Sequence, residues 1–170
     1  MIDKWPWKHI WKTKLPTKVI CFSWTALHNS CLTQDNLSKR KFQLANRCYL
    51  CHKHKESVNH LLLHCPAASH LWNIFCCFSG LSWVMFFSVT DTLESWNSRD
   101  VDKATKSMSM MIPGVIFWCL WTERSKKCFD GISTSRDLWR GRCLVSLFSL
   151  CKLTLVNNLE LFQDFVSSIA

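Results

Sequence analysis

Glycine and proline are scarce in this chain, four of each in 170 residues. Runs that alternate polar and apolar residues are rarer still, while apolar residues recur at helical spacing in several stretches, so a mostly α protein is expected. No apolar run is long enough to cross a bilayer. Ser107 to Thr122 spans about sixteen residues with Pro113-Gly114 inside it, against the roughly 20 that a span requires. It reads as a buried helix. Cys143 to Val156 is shorter and carries Lys152, so no membrane contact is expected. The opening Met1-Ile2-Asp3-Lys4-Trp5-Pro6 is polar and basic and lacks the apolar core of a secretory signal. Eleven cysteines is an odd number, and without that signal reduced thiols inside a cell, nuclear or cytoplasmic, fit better than a disulfide framework.

Catalytic constellations are missing too. There is no paired-aspartate polymerase motif, no carboxylate and histidine set for a two-metal nuclease, no phosphate-binding glycine loop and no HExxH helix. Asp100-x-Asp102 is the one close acidic pair of this kind, and it reads as a solvated loop. No enzyme activity is expected.

Acidic residues are nearly absent from the first third. Residues 1–55 hold eleven Lys and Arg against Asp3 and Asp35, which accounts for the whole net charge of +9; the remainder is neutral. A field so one-sided favours an anionic partner, nucleic acid before acidic membrane.

What is present is a chain able to fold, 48% hydrophobic and 19% charged, with ten Trp and eleven Phe. Pro16 suits the first turn of a helix to about Asn29, with Val19, Ile20, Phe22, Ser23, Ala26 and Leu27 as its inner stripe. Thr33 suits the N-cap of a short helix over Gln34 to Lys41 that turns Leu37 inward. Val58 to His64 reads as helical, Pro66 ends it or restarts the chain into a helix to Phe78, and Gly80 is a stop for that helix. Residues 80–100 are the expected boundary, with TDTLESWNSRD polar and turn-like. Beyond it, one helix ends near Cys128-Phe129 before Asp130-Gly131, and another runs from the Ser133-Thr134-Ser135 cluster to about Val156, where Asn157-Asn158 breaks it. The expected organisation is a small helical zinc-binding domain over 1–80, a linker over 81–100 and a helical extension over 101–170.

The zinc expectation rests on CYLCHKHKESVNHLLLHC, residues 48–65. Cys48-x2-Cys51 is the tight chelating pair that zinc favours, and His60 and Cys65 follow at distances that can close a tetrahedron. Four protein ligands leave no open position, so the ion would be structural. Spacing leaves a rival: His60 and His64 share a helical face, while Cys65 at i+5 is swung round the axis unless Pro66 pulls it out of helical geometry. His52 and His54, between Lys53 and Lys55, read as solvated or phosphate-touching.

Trp7-Lys8-x-Ile10-Trp11-Lys12-x-Lys14-x-Pro16-x-Lys18-Val19, then Phe22-x-Trp24, His28, Leu32-Thr33-x-Asp35-x-Leu37, Cys48-x-Leu50-Cys51, Glu56-Ser57-x-x-His60-Leu61-Leu62-x-x-Cys65 and Leu71-Trp72 closely resemble the zinc-binding domain that follows reverse transcriptase in plant non-LTR retrotransposons. The likeness covers about residues 5–78. It implies one Zn2+ held by Cys48, Cys51, His60 and Cys65. Ile112-Pro113-x-x-Ile116-x-Trp118-x-x-Trp121-x-Glu123-Arg124-Ser125-x-x-x-Phe129 resembles the helix that trails this domain, with Ser125 where Asn is usual.

The resulting expectation is a non-catalytic zinc module that binds RNA or single-stranded DNA, with Lys8, Lys12, Lys14, Lys18, Lys39, Arg40, Lys41, Lys53 and Lys55 as phosphate contacts. Exposed members of Trp5, Trp7 and Trp11 could stack on bases, although core packing is the favoured role for tryptophans here. The alternative is a structural or protein-interaction remnant, with a protein partner on the neutral C-terminal block.

Overall fold

The apolar stretch around Pro113-Gly114 becomes the helix about which the other elements pack. The computed structural model describes residues 7–78, 84, 86–98, 106–107 and 109–154, except the side chains of 7, 9, 78 and 151–154. Among them there is no strand. In chain order the helices are α1 (Trp7–Lys12), α2 (Thr17–Leu27), α3 (Gln34–Lys39), a wide turn (His60–His64), α4 (Pro66–Phe78), α5 (Val89–Asn97), α6 (Ile112–Ser125), a second wide turn (Lys126–Asp130) and α7 (Arg136–Thr154). Of the residues invoked above, Met1 to Pro6, Gly80, Asp100, Asp102, Val156, Asn157 and Asn158 lie outside the described residues. So does the side chain of Trp7.

Helix α6 begins where proline costs least, with Pro113 in its first turn and no N–H to satisfy there. Gly114 sets how close α6 approaches α2: a Cβ on Gly114 would fall 2.6 Å from Leu15 Cδ1 and 3.4 Å from Ser23 Oγ. Ser23 is buried without penalty because its hydroxyl donates to the Val19 carbonyl at 2.9 Å. Packed against α2, α4, α7 and the first wide turn, α6 buries residues on every face, from Ile112 through Phe117 to Glu123 and Arg124. Gly131, at φ 65°, ends the second wide turn in the left-handed conformation.

An aromatic knot joins α4, α5 and α6. Trp72 packs against Trp96 and Phe117, with ring centres 5.4 and 6.0 Å away. Each buried indole N–H finds an acceptor, Trp72 on the Leu62 carbonyl at 2.9 Å and Trp96 on the Ser109 carbonyl at 2.7 Å. That satisfaction lets both rings contribute their full apolar area. The core cluster is continuous from Ile10 to Leu147. No helix among the described residues is long and apolar enough to cross a membrane.

Two local expectations change. Up to Asn97, TDTLESWNSRD is helical rather than turn-like: Ser88 caps α5 by accepting from the Asp91 N–H at 3.1 Å, and Trp96 is buried by tertiary contacts that its polar neighbours do not announce. In α3 the buried residues are Gln34 and Asn36 rather than Leu37, which is half-buried. Asn36 is taken in because its amide donates to the Asn29 and Cys31 carbonyls at 2.7 and 2.9 Å.

Candidate metal centre

Backbone hydrogen bonds shape the loop that carries the first two thiols. The Cys48 N–H donates to the His54 carbonyl and the His52 N–H to the Cys48 carbonyl, both at 2.8 Å, which closes a tight turn with His52 at φ 56°. His60 opens the first wide turn, its N–H held by Ser57 Oγ at 3.1 Å. Cys65 precedes Pro66 and is extended, φ −60° and ψ 137°, as the clash with the proline ring requires. Its N–H reaches back to the His60 carbonyl at 2.6 Å. In a regular α-helix residues i and i+5 stand about 140° apart around the axis. The widened turn and extended Cys65 remove that separation.

Cys48, Cys51, His60 and Cys65 thereby meet, with their donor atoms all within 4.8 Å of one another. Cys48 Sγ and Cys65 Sγ are 4.0 Å apart, and Cys51 Sγ lies 3.4 Å from His60 Nε2. A tetrahedral zinc site with ordinary bond lengths has S···S edges of roughly 3.8 Å and S···N edges of roughly 3.6 Å. The donor set fits that ion in type and in spacing. Cys48 and Cys65 are fully buried, Cys51 and His60 half-buried.

Hydrogen bonds already join the four groups in pairs, Cys48 to Cys65 and Cys51 to His60. Its hydrogen bond to Cys65, together with burial, pushes the Cys48 thiol up to about 12. The same bond, received by Cys65, holds that thiol below its ordinary value. His60 is raised by hydrogen bonds to Cys48 and Cys51. A cation at the centre would replace these protons.

His64 is elsewhere: it is exposed, with Nε2 3.0 Å from the Phe87 carbonyl. His52 and His54 are exposed, and the His54 ring lies 5.4 Å from that of His60. Of the basic residues, Lys12, Lys14, Lys18, Lys39, Arg40, Lys41, Lys53 and Lys55 are exposed and Lys8 is half-buried. Lys18 sits over the Trp118 ring at 5.4 Å. Trp11 is exposed.

One group that holds the site together escaped the sequence reading. Glu56 is wholly buried beside the metal loop. Its Oε1 accepts from Arg124 Nη2 at 2.8 Å and Nε at 3.1 Å and from the Gln34 N–H at 3.2 Å, while Oε2 accepts from the Tyr49 N–H at 3.2 Å. The Arg124 guanidinium stacks between Tyr49 and Trp121, 5.1 and 5.0 Å from their ring centres, and also donates to the Leu32 carbonyl. Helix α6 thus reaches the residue that follows Cys48. The sequence signal was an ionic pair, Glu123-Arg124, at the end of an otherwise apolar helix.

Comparison with known proteins supports the same region. Residues 2–72 match the family described as zinc-binding in reverse transcriptase. Over 63 residues the chain is 30% identical to a candidate ribonuclease H protein of Arabidopsis thaliana; the match takes in 37% of this chain and spans 10% of that protein's length. No solved structure matches. The matched region and the Cys3His cluster fall on the same part of the chain, and both fit a zinc-binding module.

Proposed function

We propose that this chain, similar over residues 2–72 to a zinc-binding domain rather than a catalytic one, holds one structural Zn2+ through Cys48, Cys51, His60 and Cys65 and binds RNA or single-stranded DNA without catalysing a reaction. The observation that carries the reading is the spacing of the four donors, which uses every position of a tetrahedral ion. No position is left for water or substrate, so the ion's part is to pin the Cys48–His54 loop to the His60–Cys65 turn. The exposed Lys12, Lys14, Lys18, Lys39, Arg40, Lys41, Lys53 and Lys55, with Lys8 beside them on α1, supply the cations for phosphate contact.

Metal analysis of the purified protein is expected to return one zinc per chain. Titration of single-stranded RNA against rising salt is expected to show affinity falling steeply, because each phosphate contact releases counterions. Affinity indifferent to salt would remove the phosphate-contact mechanism.

A second reading, a scaffold that binds another protein, has support in the exposed Phe129, Ile132, Leu138 and Val145 around the second wide turn and α7. Size-exclusion chromatography with light scattering separates the two. A monomer that binds RNA supports the first, and an oligomer indifferent to RNA the second.

A further inference from the structure

The basic residues of the first third do not form one uniform field. Between residues 36 and 55 no acidic side chain occurs, and the carboxylate that follows, Glu56, is buried and neutralised by Arg124. Asp35, on the other flank, is engaged by Thr33 and Lys39. Arg40, Lys41, Arg47, Lys53 and Lys55 are all exposed in this strip, and no carboxylate among the described residues pairs with them.

The backbone draws the two halves of the strip together. The Glu56 N–H donates to Asn46 Oδ1 at 2.8 Å and the Cys48 N–H to the His54 carbonyl at 2.8 Å, so residues 46–48 run beside residues 54–56. Arg47 and Lys55 therefore lie on neighbouring segments. Phe42 follows Arg40 and Lys41 directly in the chain, just past the Gln34–Lys39 helix whose first residues bond to Glu56, and has 57% of its surface in water. The segment that holds it is anchored at its base, with the Phe42 N–H on the Leu37 carbonyl at 3.2 Å and the Lys41 N–H on the Ser38 carbonyl at 3.0 Å. Lys41, a long side chain, takes a left-handed φ of 68°, and His52 at the other end of the strip takes 56°. Strained backbone of this kind persists where surrounding bonds over-determine it, and it collects at binding sites.

A large apolar ring left more than half in water next to cations without carboxylate partners meets the needs of an unstacked base flanked by phosphates. A base locked inside a duplex offers no face to such a ring. We propose that this strip is a binding site for single-stranded nucleic acid, with Phe42 as the stacking ring and Arg40, Lys41, Arg47, Lys53 and Lys55 as phosphate contacts. The inference rests on the nucleic-acid reading above and adds to it a site and, for RNA, a preference for unpaired strands.

The test uses the full, zinc-loaded chain, with fluorescence anisotropy on a labelled 16-nucleotide RNA, the DNA of the same sequence and the corresponding RNA duplex. Phe42→Ala is expected to weaken both single strands by about 5- to 150-fold, with the salt slope unchanged. Phe42→Tyr should restore binding, and the duplex should respond to neither. Lys41→Ala with Arg47→Ala should flatten the single-strand slope of log affinity against log salt by roughly 1.4. Zinc content and far-UV circular dichroism report whether each variant is folded.

If wild-type protein binds the single strands and Phe42→Ala binds them equally well, the stacking site is wrong while the basic module stands. An equal loss on single strand and duplex also overturns it, because a stacking ring cannot act on both. Wild-type protein that binds no single strand even at low salt removes both proposals. A response by RNA alone, with DNA unaffected, would place the selectivity in the 2′-hydroxyl and count against a stacking contact, which both strands offer.

Discussion

Cys65 and His64 are neighbours in sequence with opposite fates, and the proline that follows Cys65 decides them. Pro66 forces Cys65 into extended backbone, which turns its thiol to within 4.0 Å of Cys48 Sγ, while His64 remains on the turn and meets the Phe87 carbonyl. Cys65→Ala is therefore expected to lose stoichiometric zinc and His64→Ala to retain it, by metal analysis after dialysis. The raised Cys48 and His60 add a pH dependence of definite sign. Zinc requires thiolates and a neutral imidazole, whereas Cys48 is held protonated up to about 12 and His60 is raised. Binding must release protons, so apparent affinity rises with pH and falls as pH drops. A competition titration against a chelator at several pH values measures that slope.

At the level of elements, the metal loop depends on a helix 60 and more residues away in sequence. Arg124 at the end of α6 and Glu56 beside the loop are both at most 2% exposed, and Glu56 also accepts from the Tyr49 N–H, next to Cys48. Two charges taken from water gain little from each other, but removing one strands its partner. Arg124→Met is expected to cost about 3–5 kcal/mol in chemical denaturation, because Glu56 is left buried and unpaired. Combining it with Glu56→Gln should recover a large part of that loss. If both single substitutions leave the denaturation midpoint unmoved, the pair holds nothing together. Glu56 and Arg124 were present in the sequence as parts of family-like strings, yet nothing local pointed one at the other. Contacts across 68 residues are decided by packing, not by pattern.

Over the whole molecule, the metal loop is one wall of a core that runs unbroken from Ile10 to Leu147. Structural zinc contributes about 10–16 kcal/mol in small domains, comparable to or larger than the usual net stability of about 5–15 kcal/mol. Chelation is thus expected to melt helices beyond the loop, α4 and α6 among them. Far-UV circular dichroism before and after a strong chelator measures this, and an unchanged spectrum and melting temperature would show that the ion is dispensable for folding.

The sequence by itself determined the helical class and the positions of most helices, since apolar spacing, Pro16, Pro66 and the Asp130-Gly131 stop act over a few residues, although Pro113, expected inside a helix, opens one at Ile112. It also contained, within eighteen residues, every donor of the Cys48, Cys51, His60 and Cys65 cluster, because a chelating loop is built from near neighbours. Tertiary structure decided the rest. It made a helix of the polar segment around Trp96, because that indole has Trp72 to pack on. It buried Glu56 under Arg124, so that among the described residues no carboxylate pairs with Arg47, Lys53 or Lys55. It left Phe42 in water while burying larger rings elsewhere. Whether a charge is cancelled or an apolar ring covered depends on what the fold brings beside it, and local pattern does not contain that information.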